Sequence, residues 1–144
     1  MKVSVDIKGL DKTVKNLNAL GKEGRKALEG AINVTASELQ GNARRFAPVD
    51  TGALRQNIQK IRVTPLQYLV ATLERYSAYV EFGTGGLVEV PKVFKDVALT
   101  WKGRGIKKIN LPARPFMHPA FLIASKNFPR DLKERLKKLV KKYG

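Results

Sequence analysis

A chain of 144 residues, 43% hydrophobic and 28% charged, has the size of one globular domain, expected here to span 1–144. It contains no cysteine, which excludes disulfides and thiolate metal sites, and no apolar run of about 18 residues that would span a bilayer, so a soluble protein without a membrane partner is expected. Its 28 Lys and Arg against 12 Asp and Glu leave a net charge of +16, and residues 102–144 hold 13 basic against 2 acidic side chains, a surface suited to water or to an anionic partner.

The opening MKVSVDIKGLDK lacks the apolar core of a signal peptide, which points to synthesis in the cytoplasm. Val3, Val5 and Ile7 alternate with polar residues, the period of a half-buried strand that Gly9 ends. Asp11 is placed to cap a short helix with Leu10, Val14, Leu17 and Leu20 on one side. Gly21 and Gly24 read as punctuation before a longer helix. In that helix Leu28, Ile32, Thr35, Leu39, Ala43 and Phe46 form one stripe. Gly30 and Gly41 weaken it by about 1 kcal/mol each relative to alanine, unless a neighbouring backbone needs the space. Pro48 ends it, because the residue before a proline is pushed out of the helical region.

A polar turn, APVDTG, leads into two strands, 59–64 and 67–72, joined at Pro65 and Leu66 as a hairpin. RYSAYVEFGTGG then places Tyr76, Tyr79, Val80 and Phe82 at helical spacing, for one or two turns. VPKVFKDVALTW reads as another short helix with Val93, Val97 and Trp101 on one side, KGRGIKK as a basic loop, and Ile109 with Leu111 as a last strand. From Pro119 onward the pattern is helical, with Phe128, Leu132, Leu136, Leu139, Val140 and Tyr143 in a stripe among lysines. Pro129 is expected in the first turn of that helix, or as a kink in a longer one that begins near His118.

Little here supports catalysis. His118 is the single histidine, and a packed or exposed role near a helix start explains it better than a nucleophile or metal centre. Asp50 and Thr51 read as caps for the next helical turn, with Gly52 allowing the close approach. FGTGG lacks the lysine of a phosphate loop and the spacing of a dinucleotide fold, so it reads as a turn. No catalytic residue, metal or cofactor is expected. Lys102, Arg104, Lys107 and Lys108 in the loop, and Lys133, Lys137 and Lys141 on the last helix, are candidates for an assembly surface or for phosphate contacts that do not read sequence. No nucleic-acid reader module is visible, and aromatics do not interleave with the charges.

Three stretches, APVDTGALRQNI, YSAYVEFGT and ARPFMHPA, stand in an order and at a spacing that resembles the phage tail-completion family. This is the gene-product-10-like group of neck or minor tail proteins of long-tailed phages and prophages, and the likeness runs over about residues 10–143. The resemblance implies an α+β fold, a small antiparallel β-sheet packed against a long N-terminal helix and a C-terminal amphipathic helix. It implies a non-enzymatic virion protein of the neck, made in the bacterial host cytoplasm and acting in tail completion and head–tail joining. A ring is implied, with head-closure and tail-terminator proteins as partners and DNA in passing contact. A basic, sequence-independent DNA-binding protein is the alternative.

The family motif falls on Pro48, Asp50, Thr51, Gly52 and Leu54, on Tyr79, Glu81, Phe82, Gly83 and Thr84, and on Arg114, Pro115, Phe116 and Pro119. These residues either meet as a hub that defines the fold or line a subunit interface. Glu81 lies among Tyr79, Val80 and Phe82, and a carboxylate there needs a partner, for which Arg55 or Arg114 is the expectation. Pro129 departs from the uninterrupted C-terminal helix that the resemblance implies.

Overall fold

The structure, a computed structural model, describes residues 2–4, 21–84, 92 and 111–143. The rest of the first expected strand, the helix over 11–20, the helix within 91–101, the basic loop 102–108 and Ile109 lie outside the described residues.

In chain order the elements are β1 (Lys2–Ser4), α1 (Gly21–Phe46), α2 (Ala53–Gln56), β2 (Ile58–Thr64), β3 (Gln67–Thr72), α3 (Ser77–Phe82) and α4 (Met117–Tyr143). The architecture is α+β. The three strands are antiparallel in the order β1-β3-β2, and the two long helices pack on one another and on the sheet.

The apolar stripe forms α1. Leu28, Ala31, Ile32, Thr35, Ala36, Leu39 and Ala43 are buried, at the three- and four-residue intervals that line one face of a helix. Thr35 joins this face at little cost because its hydroxyl donates to the Ala31 carbonyl at 2.9 Å. Gly24 does not punctuate: it lies inside the helix and is buried, while Gly21, with φ at 72°, stands at its start. Gly30 leaves room for a side chain and not for a backbone, since a methyl group there would stand 2.7 Å from a guanidinium nitrogen of Arg135.

β2 and β3 pair with Ile58 opposite Thr72 and Lys60 opposite Val70, and the register shifts at a bulge between Arg62 and Thr64. Ile58, Val70 and Thr72 are buried, and Lys60 on the same face reaches Asn33 Oδ1 (2.9 Å) and Ser37 Oγ (2.7 Å) of α1. That face of the sheet therefore rests on α1. At the start of β2 the Ile58 carbonyl accepts from Gln40 Nε2 (3.1 Å) and from Arg44 Nε (3.1 Å) and Nη2 (2.8 Å).

α4 runs antiparallel to α1. Asn127 donates to Glu38 at 2.6 Å, while eight residues further along α4 Arg135 reaches Gly30, eight residues back along α1. Leu28, Ala31, Ile32, Phe128 and Leu132 form a core cluster between the helices, with Leu66, Tyr68 and Leu136 against it. Of the two expectations for Pro129, the first turn fails and the longer helix that begins near His118 holds. The 27-residue helix begins at Met117 and continues through Pro129. Proline costs roughly 3 kcal/mol inside a helix, but it is exposed here, while Phe128 and Leu132 beside it are buried at a gain of about 1.5 to 3 kcal/mol each. Packing outweighs propensity. Pro129→Ala is expected to raise stability by about 1 to 3 kcal/mol, read as a higher urea midpoint; an unchanged or lower midpoint would contradict a helix continuous through this residue.

Candidate functional site

The first motif turns the chain out of α1. The Ala47 amide closes the last helical bond on Ala43 at 2.9 Å, Pro48 stops the helix, and Gly52 takes φ of 83°, where a side chain would be strained. The N-cap position of the next turn is Gly52, without a side-chain cap, and Thr51 Oγ1 accepts from the Ala53 amide at 3.3 Å in a local turn; Asp50 is exposed and makes no hydrogen bond among the described residues. Arg55 donates to the Ala47 carbonyl at 3.3 Å and so steadies the end of α1. Leu54, on α2, is 4% exposed and enters the core.

The second motif forms α3, which ends where Gly83 takes φ of 78° and returns its amide to the Tyr79 carbonyl at 2.8 Å. Glu81 on this helix is 2% exposed. Among the described residues its carboxylate has no arginine partner. Instead Oε2 accepts from the amides of Phe116 and Met117, and Oε1 from the amide of His118, all at 2.9 Å. Those amides open α4, where no preceding turn supplies a carbonyl, and the next residue, Pro119, has none to offer. The expected partners are occupied elsewhere: Arg55 is on Ala47, and the Arg114 side chain is exposed while its amide donates to the Val80 carbonyl at 2.7 Å. A helix start is the stronger partner because it offers several aligned donors together with the positive end of the helix dipole.

This contact was missed in the sequence, although a signal exists. RPFMHP offers no Ser, Thr, Asp or Asn directly before the helix, so α4 lacks a cap of its own and needs an acceptor from a distant segment.

The third motif runs along the second. Beyond the Arg114–Val80 bond, the Thr84 amide donates to the Leu111 carbonyl and the Leu111 amide to Thr84 Oγ1, both at 2.9 Å. Leu111 is thus held in irregular chain and not in a strand. Phe116 is fully buried and Pro115 exposed. Leu54, Phe82 and Phe116, one from each motif, belong to one core cluster with Leu39, Ile58 and Val70.

The basic candidates divide. Lys133, Lys137 and Lys141 are exposed in a row along α4, and among the described residues none has an acidic partner; the ion pairs found are Arg25–Glu29, Lys26–Glu23 and Arg130–Asp131. Lys102, Arg104, Lys107 and Lys108 lie outside the described residues. A cavity of about 40 Å³ between α1, β3 and α4 is lined by Ile32, Leu39, Leu66, Tyr68 and Phe121, space for a few waters rather than for a cofactor. Among the described residues no three His, Cys, Asp or Glu side chains converge, and no helix is long and apolar enough to cross a membrane.

Residues 11–83, half of the chain, match the family model described as "Bacteriophage HK97-gp10, putative tail-component". The chain belongs to this family. The matched residues contain the first motif and the second up to Gly83, and stop before the third. No curated protein and no solved structure matches the chain significantly. As a phage tail component, the protein is a structural part of the virion and acts among other phage structural proteins.

The geometry ranks the motif residues. Glu81→Gln, which turns an amide group toward backbone donors, is expected to cost about 2 to 4 kcal/mol in urea unfolding, against less than about 1 kcal/mol for Thr51→Ala and roughly none for Asp50→Ala. Equal effects at the three positions would overturn this ranking.

Proposed function

We propose that this tail component acts at the head-proximal end of the tail, in the neck, where it completes the tail and joins it to the head. In this reading the chain is one domain over 1–144, works without catalysis and takes its place in a ring between head-closure and tail-terminator proteins. The observation that carries it is the family match over residues 11–83, together with the order of the three motifs along the chain. The motif residues act as the hub of the fold. This is supported by the burial of Leu54, Glu81, Phe82 and Phe116 and by the Glu81 contacts across the chain, which leave the outer surfaces of the helices and sheet for assembly.

Lys133, Lys137 and Lys141 recur every four residues, about 6 Å apart along the helix, so they present a row of positive charge to an anionic neighbour. We assign that row to an acidic protein surface in the neck. The exposed Val140 between Lys137 and Lys141 adds an apolar contact that a protein, and not a phosphate backbone, would use. Duplex DNA is the second reading, favoured by the net charge alone.

Electron microscopy of particles lacking the protein is the direct test: full heads beside separate tails are expected, and normal infectious virions would overturn the proposal. Charge reversal at Lys133, Lys137 and Lys141 should abolish joining while the thermal midpoint stays near that of the parent, because exposed charges contribute little to stability. Duplex binding should be weak at about 150 mM salt. Tight, sequence-independent binding there, with joining intact in the reversed variant, would favour the DNA reading.

A further inference from the structure

α4 carries an apolar line that the core does not use. A helix repeats every 3.6 residues or about 100° per residue, so Leu122 and Val140 point the same way five turns apart, and Pro129 lies close to the line that joins them. All three are exposed, Leu122 at 51% and Val140 at 62%. Leu136, partly buried against the core, lies beside the same line. Lys126, Lys133 and Lys137 are exposed along one flank, each within about a sixth of a turn of the line, and none has an acidic partner among the described residues. The acidic residues of this stretch stand off it: Asp131 pairs with Arg130, and Glu134 falls about a third of a turn away.

An apolar line with unpaired cations on its flank is complementary to an amphipathic helix whose apolar stripe is bordered by Asp and Glu. Shape selects a helix as the occupant. The line runs straight for about 27 Å, at a rise of about 1.5 Å per residue, and a helix offers an extended segment no strand edge to pair with. Pro129 suits such a contact, because its ring has no rotamer freedom to lose when it is covered. Duplex DNA would use the lysines and leave Leu122, Pro129 and Val140 without a partner. A second copy would bring the exposed cations of its own long helices, such as Lys22, Arg25 and Lys133, against the same lysines on a chain of net charge +16.

We infer that the outer line of α4 from Leu122 to Val140 docks an acidic amphipathic helix of a neighbouring virion protein, with the apolar stripe of that helix on Leu122, Pro129 and Val140 and its carboxylates on Lys126, Lys133 and Lys137. The inference rests on the assembly role proposed above for the α4 lysines and names the structure of the partner. One helix laid along five turns covers less than the ~800 Å² per partner of a stable interface. A single contact is therefore weak, and a ring strengthens it by presenting several copies at once.

The probe is a labelled synthetic peptide of about 20 residues with Leu at heptad a and d positions and Glu beside them, compared with a peptide of the same composition whose leucines are scattered around the helix. In fluorescence anisotropy with the full chain at about 150 mM salt, the ordered peptide should bind at least about tenfold more tightly than the scattered one. Leu122→Gln with Val140→Gln should weaken the ordered peptide about tenfold with little change in thermal midpoint, because both positions are exposed and Gln favours a helix. Lys133→Glu with Lys137→Glu should lose it and take up a peptide with Lys in place of Glu. If the Gln variant does not fold, Pro129→Ala, the chain expected to be more stable, should weaken the ordered peptide several-fold. Equal binding of the two peptides, or binding unmoved by the changes at Leu122, Pro129 and Val140, would overturn the inference. So would displacement of the peptide by equimolar duplex DNA, or self-association of the parent that the Gln variant loses. Joining is scored separately in particles. Infectious particles without the protein sink the neck role and leave the docking line to the titration, whereas full joining restored by the Gln variant sinks the docking line alone.

Discussion

A carboxylate removed from water must be met by donors wherever the fold puts it, and in this protein that requirement links the middle of the chain to its last helix. Glu81 has three amides and no cationic side chain around it among the described residues. Each amide would otherwise be an unsatisfied donor at the start of α4, at a cost of about 1 to 3 kcal/mol when buried. The contact is therefore reciprocal: α3 supplies what α4 lacks, and α4 supplies what the charge needs. It also fixes where α4 begins, hence which of its turns meets Leu28 and Ile32 and where Arg135 comes to lie over Gly30.

The charge on the chain has two uses. Some basic side chains are committed within the fold: Arg44 on the Ile58 carbonyl, Arg55 on Ala47, Lys60 on Asn33 and Ser37, and Arg135 in the space left by a glycine. These fasten α1 to the sheet, to its own terminus and to α4. Lys133, Lys137 and Lys141 on the outward turns of α4 have no such duty among the described residues. Net charge alone overstates the surface available to a partner, and the position of each cation decides which part is external.

Much of this was legible in the sequence. The stripe from Leu28 to Phe46 located α1 because burial and period coincide there, and the hairpin was found within one residue because branched residues and a Pro-containing turn agree. The punctuation assigned to Gly24 failed because glycine is also the residue that fits a crowded helix face. Pro129 was left between a first turn and the interior of a longer helix because propensity is local, whereas the burial of Phe128 and Leu132, which decides for the longer helix, depends on α1. The need of Glu81 for partners could be read, but not their identity. Backbone donors carry no letter in a sequence, so a search among side chains turned to Arg55 and Arg114. Asp50 and Thr51 looked equivalent as caps until the turn at Gly52 brought Thr51 to the Ala53 amide.

The pair of hydrogen bonds between Thr84 and Leu111 brings together two points 27 positions apart in the chain. The family match ends at Gly83, one residue before that junction. With the Arg114 amide on the Val80 carbonyl, the junction ties the chain after α3 to the chain before α4, beside the contact that Glu81 makes. Closing such a loop becomes harder only slowly as it grows, by about 0.6 kcal/mol for each doubling in length. The entropy of holding the second and third motifs together thus depends little on how many residues separate position 84 from position 111.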